Sequence, residues 1–525
     1  MTETWTDDYN RLSTSSMSRP MSQEVELKLA LPRKALPALR RHPLIAGAAK
    51  QGNAVTLDNT YFDTPDLVLK ARKVAVRIRR HGRVKLQTVK CASASTGGLT
   101  QRPEWEQAFG DAFDFSAVDA PKVRKLLMRH ATDLMPVFST RFRRETRLYS
   151  PDDTTRILMM IDTGEVVAGE RREAICELEL ELVEGRPLDL LLLACRLTAD
   201  IPLMPGDLSK AERGYRLHLN EPLAPLRAEA SAIDAGQTPV DAFRSLAFSC
   251  LRQWQANAVG AATNGDPEFI HQLRVALRRL RSLLDLFAPA LPDEFVADWK
   301  ERLARNADTF AEPRDLDVLY DEILAPVASD ASQHSGNEAA AVALLAERVR
   351  EARDQARADA LRGLDPAAQG RLLVGLTAAL HALPTNNLIG AADLRTFARL
   401  QLERLRKKVR RRHAAAADRV PAHLHALRIA LKRLRYAIEF FAPLMPAKAH
   451  RAYLATAVRA QDALGFINDV DVARGRLANW AGEAPDLRAA AAFVCGWHSP
   501  RYARLGRRAL RVLDGLLAER SPWDR

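Results

Sequence analysis

The sequence predicts an α+β region followed by an all-α region. Between residues 22 and about 220, short segments of alternating apolar and polar residues recur, and turns containing glycine separate them. After residue 240, apolar residues instead recur at i, i+3, i+4 and i+7, which is typical of amphipathic helices. A sequence repeat links two parts of the second region. Together, these observations predict a β-rich domain joined to a duplicated helical domain.

The first predicted strand is "EVELKLAL", residues 24–31, in which aliphatic and charged residues alternate. Further strands are predicted at 74–80, 84–90, 104–109, 141–149, 157–162 and 175–183. Helices are predicted near 33–46, 117–132, 187–200 and 207–216. Because short turns join most of the strands, we expect an antiparallel sheet or closed barrel with flanking helices.

The helical region contains an internal repeat. "IHQLRVALRRLRSLLDLF" (270–287) matches "LHALRIALKRLRYAIEFF" (424–441), and "RDLDVL" (314–319) matches "NDVDVA" (468–473) with the same offset. A constant offset across the intervening sequence indicates a duplicated unit of about four helices.

Composition divides the chain into four parts. Residues 1–21 form a polar tail without the pattern of a secretory signal, and we expect it to be disordered. The β-rich domain spans 22–220 and the helical domain 240–525. Between them, residues 221–239 are rich in Pro and Ala and show little periodicity, which is typical of a linker.

The overall charge and the cysteines narrow the classes of partner and compartment. A net charge of +13 and a pI near 9.7 favour a polyanionic partner: nucleic acid, an anionic membrane surface or phosphate chains. The absence of an apolar run of about 18 residues argues against a transmembrane helix. Five scattered cysteines without a CxxC motif argue against a disulfide framework and a zinc site, and fit a reducing cytoplasm. They are Cys91, Cys176, Cys195, Cys250 and Cys495.

Five predicted strands carry charge on one face. These faces hold Glu24, Glu26 and Lys28; Arg77 and Arg79; Thr88 and Lys90; Arg102 and Glu104; and Glu177, Glu179 and Glu181. One such face is normal for a half-solvated strand, but five together indicate that the charges converge on a lumen. A charged lumen is costly unless its charges neutralise one another or a ligand. Arg and Lys bind phosphate oxygens, and carboxylates bind Mg²⁺ or Mn²⁺. A metal-bound phosphate chain would therefore neutralise both the cations and the carboxylates.

The opening "EVELK" resembles the ExExK signature of the CYTH superfamily, the triphosphate tunnel metalloenzymes, and the resemblance covers roughly residues 22–220. Similar motifs follow in the family's order: "YFDTPDLVL", "RIR", "TVK", "RPEWE", "RFRRE", "IDTGEV", "CELELEL" and "LSKAERGY". The last two and "RPEWE" are most similar to bacterial inorganic triphosphatases. The resemblance implies metal-dependent hydrolysis of short-chain phosphate to pyrophosphate and phosphate, with Mg²⁺ or Mn²⁺.

The same resemblance implies roles for individual residues. The implied metal ligands are Glu24, Glu26, Glu177 and Glu179, and the implied catalytic residues are Glu24, Glu26, Lys28 and Lys210. The implied substrate-binding residues are Arg77, Arg79, Lys90, Arg102, Glu104, Arg143 and Asp162. Strand phase leaves Arg141 and Arg144 as alternatives to Arg143, and Glu181 is in phase with the acidic ligands. Lys28 and Lys210 are both candidates to assist protonation, and no general base is assigned.

Each copy of the helical repeat carries a stripe of basic residues. The stripes are His271, Arg274, Arg278 and Arg281 in one copy, and His425, Arg428, Lys432 and Arg435 in the other. One such stripe is commonly a solvated helix face. Like charges three or four residues apart destabilise a helix by about 0.2–0.5 kcal/mol per pair. Since the arrangement occurs twice, we expect an anion that compensates it.

This half resembles the CHAD domain, the conserved histidine α-helical domain, over roughly 240–520. The two His-x-x-Arg repeats and the "RDLDV" and "NDVDV" segments carry that similarity. It implies two pseudo-symmetric four-helix bundles whose basic helices bind inorganic polyphosphate, and it raises the expectation of association with polyphosphate granules. Lys432 departs from the pattern because it lacks a guanidinium fork. Asp315, Asp317, Asp469 and Asp471 are expected to hold the arginines in place, with metal binding as the alternative.

Three functions follow from these patterns. The first is a triphosphatase joined to a polyphosphate-binding module. The second is a non-catalytic polyphosphate-binding or granule-associated protein, against which the intact acidic motifs argue; a tunnel enzyme acting on an organic triphosphate is a further alternative. The third is a nucleic-acid binder, which an aromatic content of 6% disfavours for single strands but not for a duplex backbone.

Overall fold

The computed structural model describes residues 22–82, 84–91, 97–333, 337–384 and 393–524. Within these ranges, the description does not extend to the side chains of Ser22, Gln23, His81, Arg102, Asn337 and Glu338. The predicted disordered tail lies outside the described residues. The chain forms two compact units: the first includes the residues up to Ala224 together with Asp365–Ala382, and the second includes Pro225–Leu364 and the residues from Leu383 onward.

The first unit is built around one antiparallel sheet. Its strands are β1 (Ser22–Ala30), β2 (Ala49–Lys50), β3 (Val55–Asp63), β4 (Val74–His81), β5 (Val84–Cys91), β6 (Leu99–Ala108), β7 (Met135–Tyr149), β8 (Arg156–Ala168), β9 (Arg171–Glu184) and β10 (Met204–Pro205). The order around the sheet is β10-β1-β6-β5-β4-β3-β7-β8-β9. Because β1 pairs with both β6 and β9, the sheet is a nearly closed barrel.

The α-helices follow the predicted division of the chain. Those before residue 239 are α1 (Leu36–Arg41), α2 (Pro43–Ala46), α3 (Val68–Ala71), α4 (Pro121–His130), α5 (Pro187–Asp200) and α6 (Lys210–Leu219). Those after it are α7 (Pro239–Thr263), α8 (Pro267–Phe287), α9 (Asp293–Asp308), α10 (Ala311–Val318), α11 (Ala325–Ala331), α12 (Asn337–Gly363), α13 (Pro366–Ala382), α14 (Leu394–Ala415), α15 (Pro421–Phe440), α16 (Ala447–Ala481) and α17 (Pro485–Ala518). The predicted fold class, an antiparallel barrel with flanking helices followed by an all-helical region, is confirmed.

Alternation along the barrel strands separates an apolar outside from a charged inside. On β9, Leu178 and Leu180 are fully buried among apolar residues of β1 and α5. Their neighbours Glu177 and Glu179 are also buried, but they face the opposite side of the sheet, as the period of two requires. The helices therefore cover the aliphatic face, and the charged face is left to the barrel interior.

Helix α13 belongs to the barrel unit, although its sequence lies in the middle of the helical region. Val374 and Ala378 join the apolar core formed by β1, β9 and α5. The helix approaches closely at Gly370, where an added Cβ would lie 1.8 Å from the carbonyl oxygen of Leu203. A side chain at Gly97 would likewise meet Thr377, which is fully buried. The helix is thus an integral wall of the first unit.

The second unit is entirely helical in its described residues. One of its cores joins α10, α12, α16 and α17 through residues such as Leu345, Val349, Val470 and Val494. A π-helical turn, Leu319–Leu324, lies between α10 and α11 and contributes to the same core. The repeat occupies α8 and α15, whose leucine faces are buried. In the part of the chain that the structure describes, no helix has the length and apolar character needed to cross a bilayer.

Candidate functional site

Three buried carboxylates from two neighbouring strands surround one ammonium group. Asp162 on β8 lies opposite Glu177 on β9 in the register, and Glu179 is two residues further along β9. The Nζ of Lys210 donates to Asp162 Oδ2 at 2.7 Å, to Glu179 Oε1 at 3.0 Å, and also to Glu177. Lys210 is the first residue of α6, and Ser209 caps that helix by accepting from the backbone N–H of Glu212. The cap fixes the helix start, and so places Lys210 over the acidic group.

Arg144 on β7 is a second cation that contacts this acidic group. Its Nε donates to Asp162 Oδ1 at 2.7 Å and its Nη2 to Asp162 Oδ2 at 2.6 Å, and Nη2 also contacts Glu179. Burial would raise the pKa of Glu179, but Lys210 and Arg144 hold it well below its ordinary value. Burial would lower the pKa of Lys210, and the three carboxylates raise it instead. Glu179, Lys210 and Arg144 are therefore charged at neutral pH.

A second group of charges lies where β1 meets β5 and β6. The Nζ of Lys90 is 2.9 Å from Glu24 Oε2 and 2.9 Å from Glu104 Oε2, and Arg77 Nη2 is 3.7 Å from Glu104 Oε1. Lys28 pairs with Glu26 on the same strand. Burial would raise the pKa of Glu104, but Lys90 and Arg77 lower it to about 2.

The two groups are adjacent in the sheet. In the β1–β9 register, Lys28 faces Glu179 and Glu26 faces Glu181. Glu26 and Glu179 are thus diagonal neighbours, a relationship with a spacing of roughly 7–8 Å. Burial and the charge of Glu24 raise the pKa of Glu181 to about 7, which shows that acidic groups crowd this part of the interior.

Most of the predicted interior residues lie together, with one correction. Arg143 points outward: its side chain is 58% exposed and pairs with Glu145. Arg141 is 72% exposed, whereas Arg144 is 15% exposed. The inward arginine of β7 is therefore Arg144 rather than Arg143. Arg102 lies on β6, but its side chain is outside the described part of the structure.

Arg79 lies further along β4 than the other cations. Its Nε donates to Asn59 Oδ1 at 3.2 Å, and its Nη1 is 3.7 Å from Glu106 Oε2. Asn59 in turn donates to Thr140 Oγ1 at 3.1 Å, which fixes the amide that accepts from the guanidinium. Burial and the charge of Arg77 lower the pKa of Arg79, so an anion placed between the two arginines would relieve their repulsion.

The acidic group fits a divalent metal by its chemistry. Asp162, Glu177 and Glu179 each offer a carboxylate oxygen, and these oxygens lie within 4.8 Å of one another. Oxygen-only donors are those that Mg²⁺ and Mn²⁺ prefer. Of the four predicted ligands, the structure places Glu177 and Glu179 in this group. Glu24 and Glu26 lie instead among the pairs with Lys90 and Lys28.

A cavity of about 390 Å³ opens onto these groups. It is lined by residues of β1, β3, β4, β5, α6 with its N-cap, and the segment around α3, namely Lys28, Tyr61, Lys70, Lys73, Val74, Ala75, Arg77, Lys90, Cys91, Ser209, Lys210, Ala211, Glu212 and Tyr215. Four of the predicted cations, Lys28, Arg77, Lys90 and Lys210, share this one cavity. Such an arrangement offers a multiply charged anion several contacts at once.

The two basic stripes of the second unit converge on Lys432. Burial and the charges of Arg278, Arg428, Arg435 and Arg274 lower the pKa of Lys432 to about 6. We call these five residues the basic cluster. Among the residues that the structure describes, no acidic side chain pairs with the ammonium of Lys432. The Nε of Arg278 donates to the hydroxyl of Tyr436 at 2.7 Å, which holds that guanidinium in place.

The remaining stripe residues lie outside the basic cluster. Arg281 is exposed. His271 is half-buried, and its Nδ1 has no hydrogen-bond partner in the described residues. His425 is exposed, with Nδ1 2.6 Å from Asn468 Oδ1.

The repeated aspartates have partners of different kinds, and Asp315 is the one that contacts a stripe arginine among the described ion pairs. Asp315 Oδ1 is 3.6 Å from Arg274 Nη2, and its other oxygen is 3.6 Å from Arg476 Nη2. Asp317 pairs with Arg357. Asp471 accepts from the Tyr502 hydroxyl at 3.0 Å. These contacts anchor the helices on either side of the basic cluster.

Sequence reasoning missed several contributors. Arg213 donates to Glu177 Oε2 at 3.1 Å and to Glu173 Oε1 at 2.7 Å. Its spacing of three from Lys210 on α6 is the signal that could have found it. Arg314 faces His271 and Arg274, and lowers the pKa of both after burial.

The fold and site define a barrel domain with an interior of paired carboxylates and cations, followed by a helical domain with a basic cluster. Residues 22–215 match the family model of the CYTH domain, and residues 245–478 match that of the CHAD domain. The chain therefore contains a CYTH domain followed by a CHAD domain.

Individual proteins are similar to parts of the chain. An inorganic triphosphatase from Haemophilus influenzae is 30% identical over 201 residues, which are 38% of this chain and 56% of that protein. The chain thus aligns with just over half the length of this relative. The crystal structure of the CHAD domain from the plant Ricinus communis is 31% identical, with a TM-score of 0.49, and covers 57% of this chain and 98% of its own. A Hippeastrum protein described as an adenylyl cyclase candidate with dominant triphosphatase activity is 18% identical, with a TM-score of 0.28, and covers 37% of this chain and 95% of its own.

Proposed function

We propose that the protein is a metal-dependent triphosphatase that hydrolyses inorganic triphosphate to pyrophosphate and phosphate. The observation that carries the proposal is the shared cavity, in which Lys28, Arg77, Lys90 and Lys210 line one space beside three buried carboxylates. A compact chain of phosphates needs several cations, and its metal needs oxygen ligands. Both requirements are met within one barrel.

Divalent metal is the expected cofactor, and Mg²⁺ and Mn²⁺ are both candidates. Asp162, Glu177 and Glu179 would hold it, with Glu24 and Glu26 as the adjacent acidic pair. Once bound, a metal would supply Lewis-acid polarisation of a phosphate oxygen and lower the pKa of a coordinated water.

The cations of the chain supply binding and orientation. Phosphoryl transfer depends mainly on positioning and charge neutralisation. Arg77 and Lys90 are held by Glu104, so they are in place before substrate arrives and need little reorganisation. Lys28 and Lys210 line the cavity beside the acidic group, where they would contact a bound phosphate. Lys210 and Lys28 also remain the candidates for a proton donor to the leaving phosphate.

We propose that the helical domain binds inorganic polyphosphate through the basic cluster. Burial lowers the pKa of Lys432, and the four arginines of the basic cluster lower it further, with no acidic partner for its ammonium in the described residues. A bound polyanion would offset the repulsion among the cations of the basic cluster. The same binding would associate the protein with polyphosphate granules in the cytoplasm.

Phosphate release from inorganic triphosphate, ATP, thiamine triphosphate and long-chain polyphosphate tests the enzymatic proposal. We expect metal-dependent release from triphosphate that is lost in Glu24→Gln/Glu26→Gln. Glu165→Gln is the matched control, because Glu165 is an exposed barrel residue that pairs with Arg172. Polyphosphate binding without release from any substrate would instead support a non-catalytic binding protein.

A further inference from the structure

The cavity of about 390 Å³ is lined by two lysines that the proposed triphosphate site does not include. We call this part of the cavity, at Lys70 and Lys73, its outer end. Lys70 and Lys73 line the same cavity as the inner cations. Lys70 is half-buried and lies 3.4 Å from Glu221, an exposed pair. Lys73 is exposed, and within the described residues no acidic side chain pairs with it. The lining of the whole cavity holds one carboxylate, Glu212, and six cations: Lys28, Lys70, Lys73, Arg77, Lys90 and Lys210.

The backbone that presents these lysines is strained. Leu67 and Lys73 flank α3, and both have left-handed backbones, with φ of 53° and 57°. Such conformations are unfavourable for residues other than glycine and persist where the surrounding structure fixes them. Both residues lie in the segment that carries the two lysines of the cavity lining.

A buried carboxylate holds that segment in place. Asp63 accepts from the backbone N–H groups of Thr64, Leu69 and Lys70 at 2.7, 2.9 and 2.9 Å. It also accepts from the hydroxyl of Tyr215 at 2.8 Å, which ties α3 to α6. Asp63 is fully buried, so the network is preorganised rather than solvent-dependent.

The cations form a continuous row from the outer end inward. Lys73 precedes β4 and Arg77 lies four residues later, a separation of about 13 Å along a strand. Lys90 on β5 faces Ala75, midway between them. Arg77 is 7% exposed, and its Nη2 lies 3.7 Å from Glu104 Oε1. The row thus ends on a buried guanidinium that is held by Glu104 and lines the cavity.

The lining disfavours a nucleoside at the outer end. Tyr61 and Tyr215 are the aromatic residues of the cavity, and each is 4% exposed. Their rings are packed into the protein core, so neither offers a free face for stacking a base. The groups that remain accessible along the row are mainly amines.

We infer that Lys70 and Lys73 form a further phosphate subsite, which binds the fourth and later phosphates of a linear inorganic chain. The inference rests on the proposed triphosphatase function and extends its substrate class to short linear polyphosphates. Chains of four or more phosphates would gain contacts at the outer end, whereas triphosphate would be held by the inner cations alone.

Steady-state kinetics on the full chain tests the inference with triphosphate and linear tetraphosphate. In Lys70→Gln/Lys73→Gln, we expect KM for tetraphosphate to rise roughly fivefold, the upper range for loss of an exposed ion pair. The kcat and KM for triphosphate should change less than about twofold. Lys122→Gln, at an exposed position on α4, is the control and should alter neither substrate. An equal rise in KM for both substrates, or no rise for tetraphosphate, overturns the subsite.

Protection of Cys91 gives a readout that does not depend on turnover. Cys91 lines the cavity and faces Val74, the residue after Lys73. We expect tetraphosphate to slow alkylation of Cys91, measured by mass spectrometry, more than triphosphate does, and the double variant to abolish that difference. Protection without hydrolysis of either chain would refute the triphosphatase and retain the subsite. Equal protection by both chains in the wild type would refute the subsite.

Discussion

The ammonium of Lys210 lies 2.7 Å from Oδ2 of Asp162, and both side chains are almost completely buried. This pair joins the start of α6 to β8, and it places a cation at the centre of the acidic group. Phe142 lies beneath it, with its ring centroid 4.7 Å from the lysine Nζ. The relationship links the stability of the barrel to its proposed chemistry, because the same lysine lines the cavity.

Replacing Lys210 with Met should impair both stability and activity. The substitution leaves three buried carboxylates with one fewer cation, and breaking a buried ion pair typically costs about 3–5 kcal/mol. We also expect kcat for triphosphate to fall by about 10²–10³, as for loss of one preorganised transition-state contact. Urea unfolding and phosphate release measure the two effects. Lys122→Met on the exposed face of α4 is the control, and comparable losses there would contradict the assignment.

Arg144 and Arg143 should differ sharply despite being adjacent. Arg144→Ala removes a two-pronged contact to Asp162 and should lower the free energy of unfolding by about 3 kcal/mol or more. Arg143→Ala should change it by less than about 0.5 kcal/mol, because that side chain is largely exposed. Denaturation midpoints of both variants provide the comparison. A larger loss of stability in Arg143→Ala would show that Arg143, and not Arg144, points into the barrel.

Polyphosphate binding by the helical domain should weaken as pH rises. Lys432 has a pKa of about 6, below its ordinary value, because of burial and the charges of Arg278, Arg428, Arg435 and Arg274. A bound polyanion favours the charged form, so binding takes up a proton above pH 6. Affinity should therefore fall from pH 6 to pH 8, measured by calorimetry in buffers of different ionisation enthalpy.

Lys432→Arg provides the control for that pH dependence. Arginine stays charged throughout this range, so the variant should bind at pH 8 with a smaller pH slope. Lys432→Met should bind polyphosphate more weakly, and its affinity should not depend on pH in this range. An unchanged slope in both variants would assign the titration to another group, such as His271, whose pKa burial and Arg314 lower from its ordinary value.

Helix α13 should be required for a stable barrel. Val374 is fully buried in the barrel core, so Val374→Asp places an unpaired charge among apolar residues. We expect a loss of several kcal/mol, at the severe end of single substitutions. The exposed neighbour Arg371 supplies the control substitution Arg371→Asp. The unfolding temperature of each variant can be measured by the loss of triphosphate hydrolysis on heating. Equal unfolding temperatures for Val374→Asp and Arg371→Asp would contradict a role of α13 in the barrel core.

Periodicity predicted the strands and their charged faces because each strand buries one apolar side. It placed Glu24, Glu26, Lys28, Glu177 and Glu179 on the interior face, where they lie. It could not choose among the arginines of "TRFRRE", since the segment offers charge in both phases. The contacts of Arg144 with β8 and β9 show that Arg144 points into the barrel. Such tertiary contacts cannot be read from the sequence of one strand.

Two other features were beyond local sequence reasoning. Helix α13 (Pro366–Ala382) is largely apolar, which predicts a buried helix, but only the three-dimensional packing shows that it covers the barrel. Lys73 precedes β4 with a left-handed backbone, which interrupts the strand alternation, so a period of two cannot say where its side chain lies. The cavity that it lines results from four strands and two helical segments that are distant in sequence.

Phosphate release from inorganic triphosphate, before and after metal removal, tests the central proposal most directly. A chelator should abolish release, and Mg²⁺ or Mn²⁺ should restore it. In Glu177→Gln/Glu179→Gln, neither metal should restore release, measured on protein that circular dichroism shows to be folded. Equal release with and without metal, or no release by the wild type at any metal concentration, would contradict the proposal.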